Sequence, residues 1–168
     1  MEALNKLIQP LKDKYLNVIP LPVIALAKDL GLQVFESKDL LDFESGTIRK
    51  ENQKYIIYVN ANHSPPRQRY TIAHEIGLFL MFDYKIQEKI DISKNLEAAV
   101  APFDTKGNVD ERFLEAYKFA MDILLPEYTF LEKWHSSRTL DEIARFFAVP
   151  KEIVALRANS LLTGNRKG

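Results

Sequence analysis

The hydrophobic pattern of the first 60 residues predicts two helices followed by a small sheet. Apolar residues recur at near-helical spacing over 3–16. A second helix is predicted over 22–30, because Gly31 follows it and glycine commonly ends a helix. Alternating residues rich in strand formers then predict short strands at 32–36, 47–49 and 54–60. The last two are expected to pair antiparallel around a turn at 50–53.

The pattern after the sheet predicts helices for most of the remaining chain. Ser64-Pro65 suits the start of a helix that runs to about residue 82. The segment 85–106 is expected to be loop with short helical pieces. Asn108 then caps a further helix that ends before Pro126. The predicted fold class is therefore α+β, mainly helical with a small β-sheet.

Composition favours a folded protein in the cytoplasm. Of the 168 residues, 46% are hydrophobic, which argues against a disordered chain. No secretion signal or membrane-spanning stretch is visible, so no membrane partner is expected. Lysine plus arginine and aspartate plus glutamate number 23 each, so the overall charge does not indicate nucleic acid. The absence of cysteine excludes disulfides, thiolate nucleophiles and cysteine-bound zinc.

The first candidate for chemistry is the pair His74-Glu75 on the helix predicted over 65–82. In the motif H-E-x-x-H, two histidines one helical turn apart hold zinc, and the glutamate takes a proton from the zinc-bound water. Here Leu78 stands at the position of the second histidine. A single His-Glu pair on an amphipathic helix is also often incidental, so the pair alone leaves both interpretations open.

A second candidate, Glu115, lies on the next long predicted helix. Zinc sites of the thermolysin type complete their ligand set with a carboxylate from a later helix, which would be the role of Glu115. However, Glu111, Glu115, Lys118 and Asp122 fall on one polar stripe, and such a stripe is normally only solvated. Spacing does not separate these two interpretations.

These two segments together resemble the ImmA/IrrE family of metallo-endopeptidases. Residues 67–77 read Arg-Gln-Arg-Tyr-Thr-Ile-Ala-His-Glu-Ile-Gly, where the family has an arginine-rich lead, an aromatic residue, Thr-Ile-Ala and then His-Glu-Leu/Ile-Gly-His. Residues 115–120 read Glu-Ala-Tyr-Lys-Phe-Ala and are similar to the family's Glu-Ala-Asn-x-Phe-Ala. The following Leu124-Leu125-Pro126 is similar to the family's Leu-Leu-Met-Pro. The resemblance covers roughly residues 20–160.

The resemblance implies a zincin-like metallopeptidase with Zn²⁺ as cofactor. Carried over to matching positions, it makes His74 the first zinc ligand, Glu75 the general base and Glu115 the carboxylate ligand. Relatives of this type cleave helix-turn-helix repressors of the XRE type, often from neighbouring genes in phages, mobile elements or toxin–antitoxin operons. The expected partner is therefore such a repressor or an antitoxin protein.

Two positions depart from the family's pattern. Leu78 replaces the second histidine ligand, and Tyr117 replaces the asparagine of the second motif. Because leucine offers no lone pair to a metal, zinc is expected to bind weakly or not at all, and catalysis to be impaired. His63 and His135 could replace the missing ligand, but neither has the spacing of the family's site. Leu78 can be native to this chain or an introduced substitution.

The end of the chain resembles a helix-turn-helix, with short helices predicted over 140–147 and 151–162. A helix that reads DNA needs several basic and polar side chains facing outward, and this segment has few, among them Lys151 and Arg157. Packing on the rest of the protein or on a partner is the favoured interpretation, and direct DNA binding is the weaker one.

We therefore expect an ImmA/IrrE-type metallopeptidase domain over 1–133 and a helix-turn-helix-like segment over 134–168. The leading hypothesis is a zinc endopeptidase scaffold that acts on an XRE-type repressor, with catalysis impaired by Leu78. One alternative is a pseudoenzyme that binds the repressor or antitoxin without cutting it. The weakest alternative is a DNA-binding regulator.

Overall fold

Helices pack against a three-stranded sheet in the computed structural model, which describes residues 9–11, 13–15, 18–81 and 111–164. The α+β prediction is confirmed. After a helical segment within 9–15, the elements in chain order are α1 (Val23–Asp29), β1 (Leu32–Ser37), β2 (Gly46–Glu51), β3 (Lys54–Asn60), α2 (Pro65–Met81), α3 (Glu111–Leu124), α4 (Glu127–Ser136), α5 (Leu140–Phe147) and α6 (Lys151–Gly164). Helix α4 was not predicted. The predictions for 85–106 and for Asn108 lie outside the described residues.

The sheet is mixed, with β3 between β1 and β2. Strands β2 and β3 pair antiparallel, as predicted, through a two-residue turn in which Asn52 and Gln53 have φ of 47° and 64°. Positive φ at both positions matches the twist of a tight hairpin. Strand β1 pairs parallel with β3, from Leu32 opposite Tyr55 onward, which was not predicted. Strand β2 is consequently an edge strand of the described sheet.

Helices α2 and α3 cross at a point where only glycine fits. A Cβ atom on Gly77 would lie 2.7 Å from the carbonyl oxygen of Ala116 and 2.9 Å from its Cα atom. These contacts are with backbone, so a larger residue would push the helices apart. The close crossing brings the start of the second sequence motif, on α3, against the helix that carries the first.

Helices α5 and α6 pack against the rest of the molecule. The turn between them includes Ala148 in the left-handed region (φ 52°, ψ 50°), and its carbonyl accepts a hydrogen bond of 3.0 Å from Arg69 Nε on α2. On α6, Arg157 is buried, forms an ion pair of 2.7 Å with Asp122 and donates to the carbonyl of Leu125 at 3.1 Å. The helix-turn-helix-like segment is thus fastened to α2 and α3.

One hydrophobic core joins these elements. It contains side chains from the sheet, from α2 and α3 and from the last three helices, including Ile57, Ile76, Leu124, Phe130 and Phe147. Residues on both sides of position 134 contribute to it, and the division into two domains there stays a prediction. None of the described helices is long and apolar enough to cross a membrane.

Candidate functional site

A cavity of about 350 Å³ lies beside the first sequence motif. Helix α2 forms its floor, the chain leading into β2 forms one wall, and the start of α6 forms the other. The side chains and backbone that line it come from four parts of the chain: Phe43, Ser45 and Gly46; Arg67, Tyr70, Thr71, His74 and Glu75; Tyr117; and Pro150, Glu152, Ile153 and Leu156.

His74 and Glu75 both line this cavity, where the sequence motif predicts a site. The His74 side chain is 14% exposed and that of Glu75 only 3%. His74 Nδ1 lies 3.8 Å from Glu75 Oε1, which is too long for a hydrogen bond. Glu75 Oε2 is buried and has no hydrogen-bond partner among the described residues. The carboxylate therefore reaches the cavity with one oxygen unsatisfied.

The other two predicted positions do not join the cavity. Leu78 lies one helical turn after His74, but it is 1% exposed and does not line the cavity. Glu115 is exposed on α3, one residue before the helix crossing, and is likewise not part of the lining. The structure thus brings together His74 and Glu75, and leaves Glu115 outside.

The described residues do not fit a tightly held zinc ion. Among them, no group of three or more histidine, cysteine, aspartate or glutamate side chains is placed to hold a metal. His63 lies outside the cavity, with Nε2 3.0 Å from the carbonyl oxygen of Asp42, and His135 is exposed on α4. A structural zinc site uses four protein ligands and a catalytic one three. The roles assigned to His74, Glu75 and Glu115 by resemblance stay predictions.

Two tyrosines form a wall of the cavity that the sequence motifs did not predict as functional. The Tyr70 ring stacks near His74 with centroids 6.4 Å apart and meets Tyr117 edge to face at 6.2 Å. Burial, reinforced by the neighbouring Tyr117, raises the pKa of Tyr70 above its usual range, and burial also raises the pKa of Tyr117. The Tyr70 hydroxyl makes no well-aligned hydrogen bond among the described residues. Both tyrosines therefore offer neutral hydroxyl groups.

The wall next to β2 is shaped by a close contact with α2. A Cβ atom on Gly46 would lie 2.5 Å from Thr71 Cγ2 and 2.7 Å from the carbonyl oxygen of Tyr58. Arg67 crosses from α2 and donates to Ser45 Oγ at 3.1 Å. In the described sheet β2 has only β3 as a neighbour, and its first residue, Gly46, lies at the cavity.

The wall formed by α6 was not predicted from the sequence. Pro150, Glu152, Ile153 and Leu156 point toward the cavity, and Leu156 is 45% exposed at its mouth. In a DNA-binding helix-turn-helix, the start of the second helix would instead face the major groove. Arg157, the arginine considered for phosphate contact, is turned inward to Asp122 with its side chain 7% exposed. The described geometry therefore disfavours DNA binding through this helix.

Comparison with known proteins adds a family and a fold. Residues 27–159 match the family model described as the IrrE N-terminal-like domain, of the peptidase family M78. Among solved structures, the chain is similar to a Mycobacterium tuberculosis transcriptional regulator, with a TM-score of 0.56 and 20% sequence identity. That similarity covers 87% of this chain and 42% of the regulator, so the chain spans less than half of its length. No curated protein is similar enough in sequence to count as a match.

Proposed function

The chain belongs to the IrrE N-terminal-like domain family, and on that premise we propose that it binds an extended segment of a partner protein beside His74 without efficient zinc-dependent hydrolysis. The family membership confirms the resemblance identified in the sequence motifs. The M78 peptidases are generally zinc-dependent. One observation carries the proposal: the cavity keeps His74 and Glu75, while a buried leucine occupies the position of the second imidazole.

The shape of the cavity supports a peptide as the bound molecule. Ser45 and Gly46, where β2 begins, line it, and β2 is an edge strand of the described sheet, where main-chain hydrogen bonds can add a strand. The apolar surface of Ile153 and Leu156 lies opposite, where it can hold a side chain of the added strand. The neutral hydroxyls of Tyr70 and Tyr117 can donate to peptide carbonyl groups. Binding therefore does not require a metal.

Zinc, when bound by relatives, supplies a polarised water for peptide hydrolysis. In this chain Glu75 can accept a proton or a hydrogen bond from the bound segment, and His74 can hold the segment from the side. Neither group replaces the missing donor at position 78. The side chains present thus favour binding and orientation of a peptide over its cleavage.

We propose an XRE-type helix-turn-helix repressor or antitoxin as the partner. The resemblance to metallo-endopeptidases that act on such repressors supports this partner. The description of the structural neighbour, a transcriptional regulator, agrees with a role in gene control. The domain would act by holding the repressor, and cleavage would be weak or absent.

The test is a binding and cleavage assay with a purified XRE-type helix-turn-helix repressor, taken from the neighbouring gene where that gene encodes one. The unaltered chain is expected to bind the repressor in calorimetry and to leave it intact, with zinc or with EDTA. Leu156→Lys is expected to weaken binding about tenfold or more, because it places a charge on the apolar wall. Leu162→Lys is the matched control: both leucines are exposed on α6, at 45% and 42%, and only Leu156 lines the cavity.

Two outcomes would contradict the proposal. Zinc-dependent cleavage of the repressor by the unaltered chain, detected by mass spectrometry, would show that a working metal site forms despite Leu78. Equal binding by the unaltered chain, Leu156→Lys and Leu162→Lys would show that the repressor does not enter this cavity.

A further inference from the structure

Two buried polar atoms without a hydrogen-bond partner belong to residues that line the cavity. Four buried side-chain polar atoms lack a hydrogen-bond partner among the described residues: His63 Nδ1, Tyr70 Oη, Glu75 Oε2 and Ser137 Oγ. Two of them, on Tyr70 and Glu75, belong to residues that line this one cavity. Buried polar groups without partners are rare in folded proteins, so Glu75 Oε2 in particular is available to a polar group of a bound molecule.

Glu75 defines what that ligand must carry. Its side chain is 3% exposed, and an unpaired carboxylate at such a depth is strongly unfavourable. A bound metal ion would pair with such a carboxylate, but the described residues offer no group of three ligands to hold a metal ion. A positively charged group brought by the bound molecule would give Glu75 Oε2 the partner that the described residues do not supply.

The other charges around the cavity agree with a cation. Two carboxylates line it, Glu75 and Glu152, against one guanidinium, Arg67. Arg67 is exposed and engaged with Ser45 Oγ at 3.1 Å, and it faces the β2 wall. His74 is the nearest group to Glu75, but its Nδ1 is 3.8 Å from Oε1, and Oε2 stays unpaired. No described side chain that lines the cavity neutralises Glu75 at hydrogen-bond distance.

We propose that the cavity receives a lysine or arginine side chain of the bound segment, with its cationic end on Glu75 Oε2. This inference rests on the proposed function, since it names the side chain that the docked peptide places there. The aliphatic stem of such a residue can lie along Ile153 and Leu156, as long basic side chains do on apolar surface. The rings of Tyr70 and Tyr117 then flank the charge, where aromatic faces attract cations.

The probe is a capped pentapeptide, acetyl-Thr-Val-Arg-Val-Thr-amide, measured by calorimetry in EDTA against the full chain. Its counterpart carries citrulline, which keeps the shape of arginine and loses the charge. We expect the arginine peptide to bind about tenfold to a hundredfold more tightly, the range for a hydrogen bond to a buried charged group. A lysine peptide tests the ammonium group in the same way.

Variants assign the preference to Glu75. Glu75→Gln keeps the size of the side chain and removes its charge, so the arginine and citrulline peptides should bind it about equally well. Glu132→Gln is the matched control, the same change at an exposed position of α4 that does not line the cavity. It should keep the full preference for arginine. Circular dichroism verifies that both variants are folded.

The outcomes separate this inference from the proposed function. Equal binding of the arginine and citrulline peptides to the unaltered chain, with both weakened by Leu156→Lys, would overturn the cation site and leave the peptide groove standing. A preference for arginine that persists in Glu75→Gln, or that arises only when zinc is added, would also overturn it. If neither peptide binds, the peptide groove itself is wrong and the cation site with it.

Discussion

Placing a histidine at position 78, where the family motif has one, is the most direct perturbation of this site. Leu78 is 1% exposed, so replacing it by histidine removes buried apolar surface and should cost about 1–2 kcal/mol of hydrophobic stabilisation. A buried imidazole without a hydrogen-bond partner should lower the free energy of unfolding by a further amount of about 1–3 kcal/mol. In EDTA, the variant should therefore be less stable than the unaltered chain by about 2–5 kcal/mol. For a chain of this length, the melting temperature should fall by on the order of 10 °C.

Zinc should reverse most of that loss in the variant only. A metal that binds the folded state at one hundred times its dissociation constant stabilises it by about 2.7 kcal/mol. Thermal unfolding followed by circular dichroism, with zinc and with EDTA, measures this difference. The unaltered chain should show little change in melting temperature between the two conditions, because position 78 offers no donor.

The same assay tests the predicted ligands. In the Leu78→His background, His74→Gln should abolish the stabilisation by zinc. Glu115→Gln tests the role that the resemblance implies: a reduced stabilisation would make Glu115 a ligand, and an unchanged one would agree with its position outside the cavity. Glu132→Gln in that background is the control and should leave it unchanged, since the residue is exposed on α4. An equally large zinc effect in the unaltered chain would refute the reasoning about the missing ligand. A zinc effect that survives His74→Gln would show that positions 74 and 78 do not share a metal.

Three further predictions concern the scaffold. Gly77→Ala should destabilise the protein by about 1–2 kcal/mol in urea unfolding, because the clash with Ala116 outweighs the roughly 1 kcal/mol gain in helix propensity; a stabilised variant would contradict the close crossing. Arg157→Met should lower the unfolding free energy by about 2–3 kcal/mol in the same assay, since it removes the ion pair with Asp122 and leaves the carbonyl of Leu125 without its donor, and an unchanged value would show that the two contacts together contribute nothing. Because the pKa of Tyr70 is raised, the native state keeps a proton that the unfolded state loses above about pH 10, so stability should fall as pH rises beyond that value. Tyr70→Phe should flatten this slope by up to about 1.4 kcal/mol per pH unit, and an unchanged slope would refute the assignment.

Local signals explain which elements could be predicted. Helix α1 ends just before Gly31, which has φ of 78°, as expected for a glycine that follows a helix. The hairpin of β2 and β3 was predicted from alternating residues on both sides of a short turn. The parallel pairing of β1 with β3 could not be predicted in this way, because no local pattern specifies which strand a strand will join. Helix α4 has a single buried residue, Phe130, so its sequence carries little of the apolar periodicity that predicts a helix.

In the candidate site, too, the residues of a local motif could be predicted and those brought in by tertiary contacts could not. His74 and Glu75 could be found because a motif places them next to each other on one helix. The α6 wall could not, since Ile153 and Leu156 are about 80 residues further along the chain. Their approach depends on tertiary contacts such as the hydrogen bond from Arg69 to the carbonyl of Ala148. A segment that resembles a helix-turn-helix in sequence is used here to enclose a cavity.

Leu78 also bears on the stability of the metal-free fold. Folding free energy in a metal-dependent domain includes the free energy of metal binding, so chelation destabilises such a fold. A leucine buried at this position stabilises the metal-free state instead, through its own apolar contacts. Glu75 meanwhile lies in the cavity with Oε2 unpaired among the described residues. A domain with leucine at this position can stay folded without zinc. Its unpaired Glu75 carboxylate can then bind a basic side chain of the partner, as we propose.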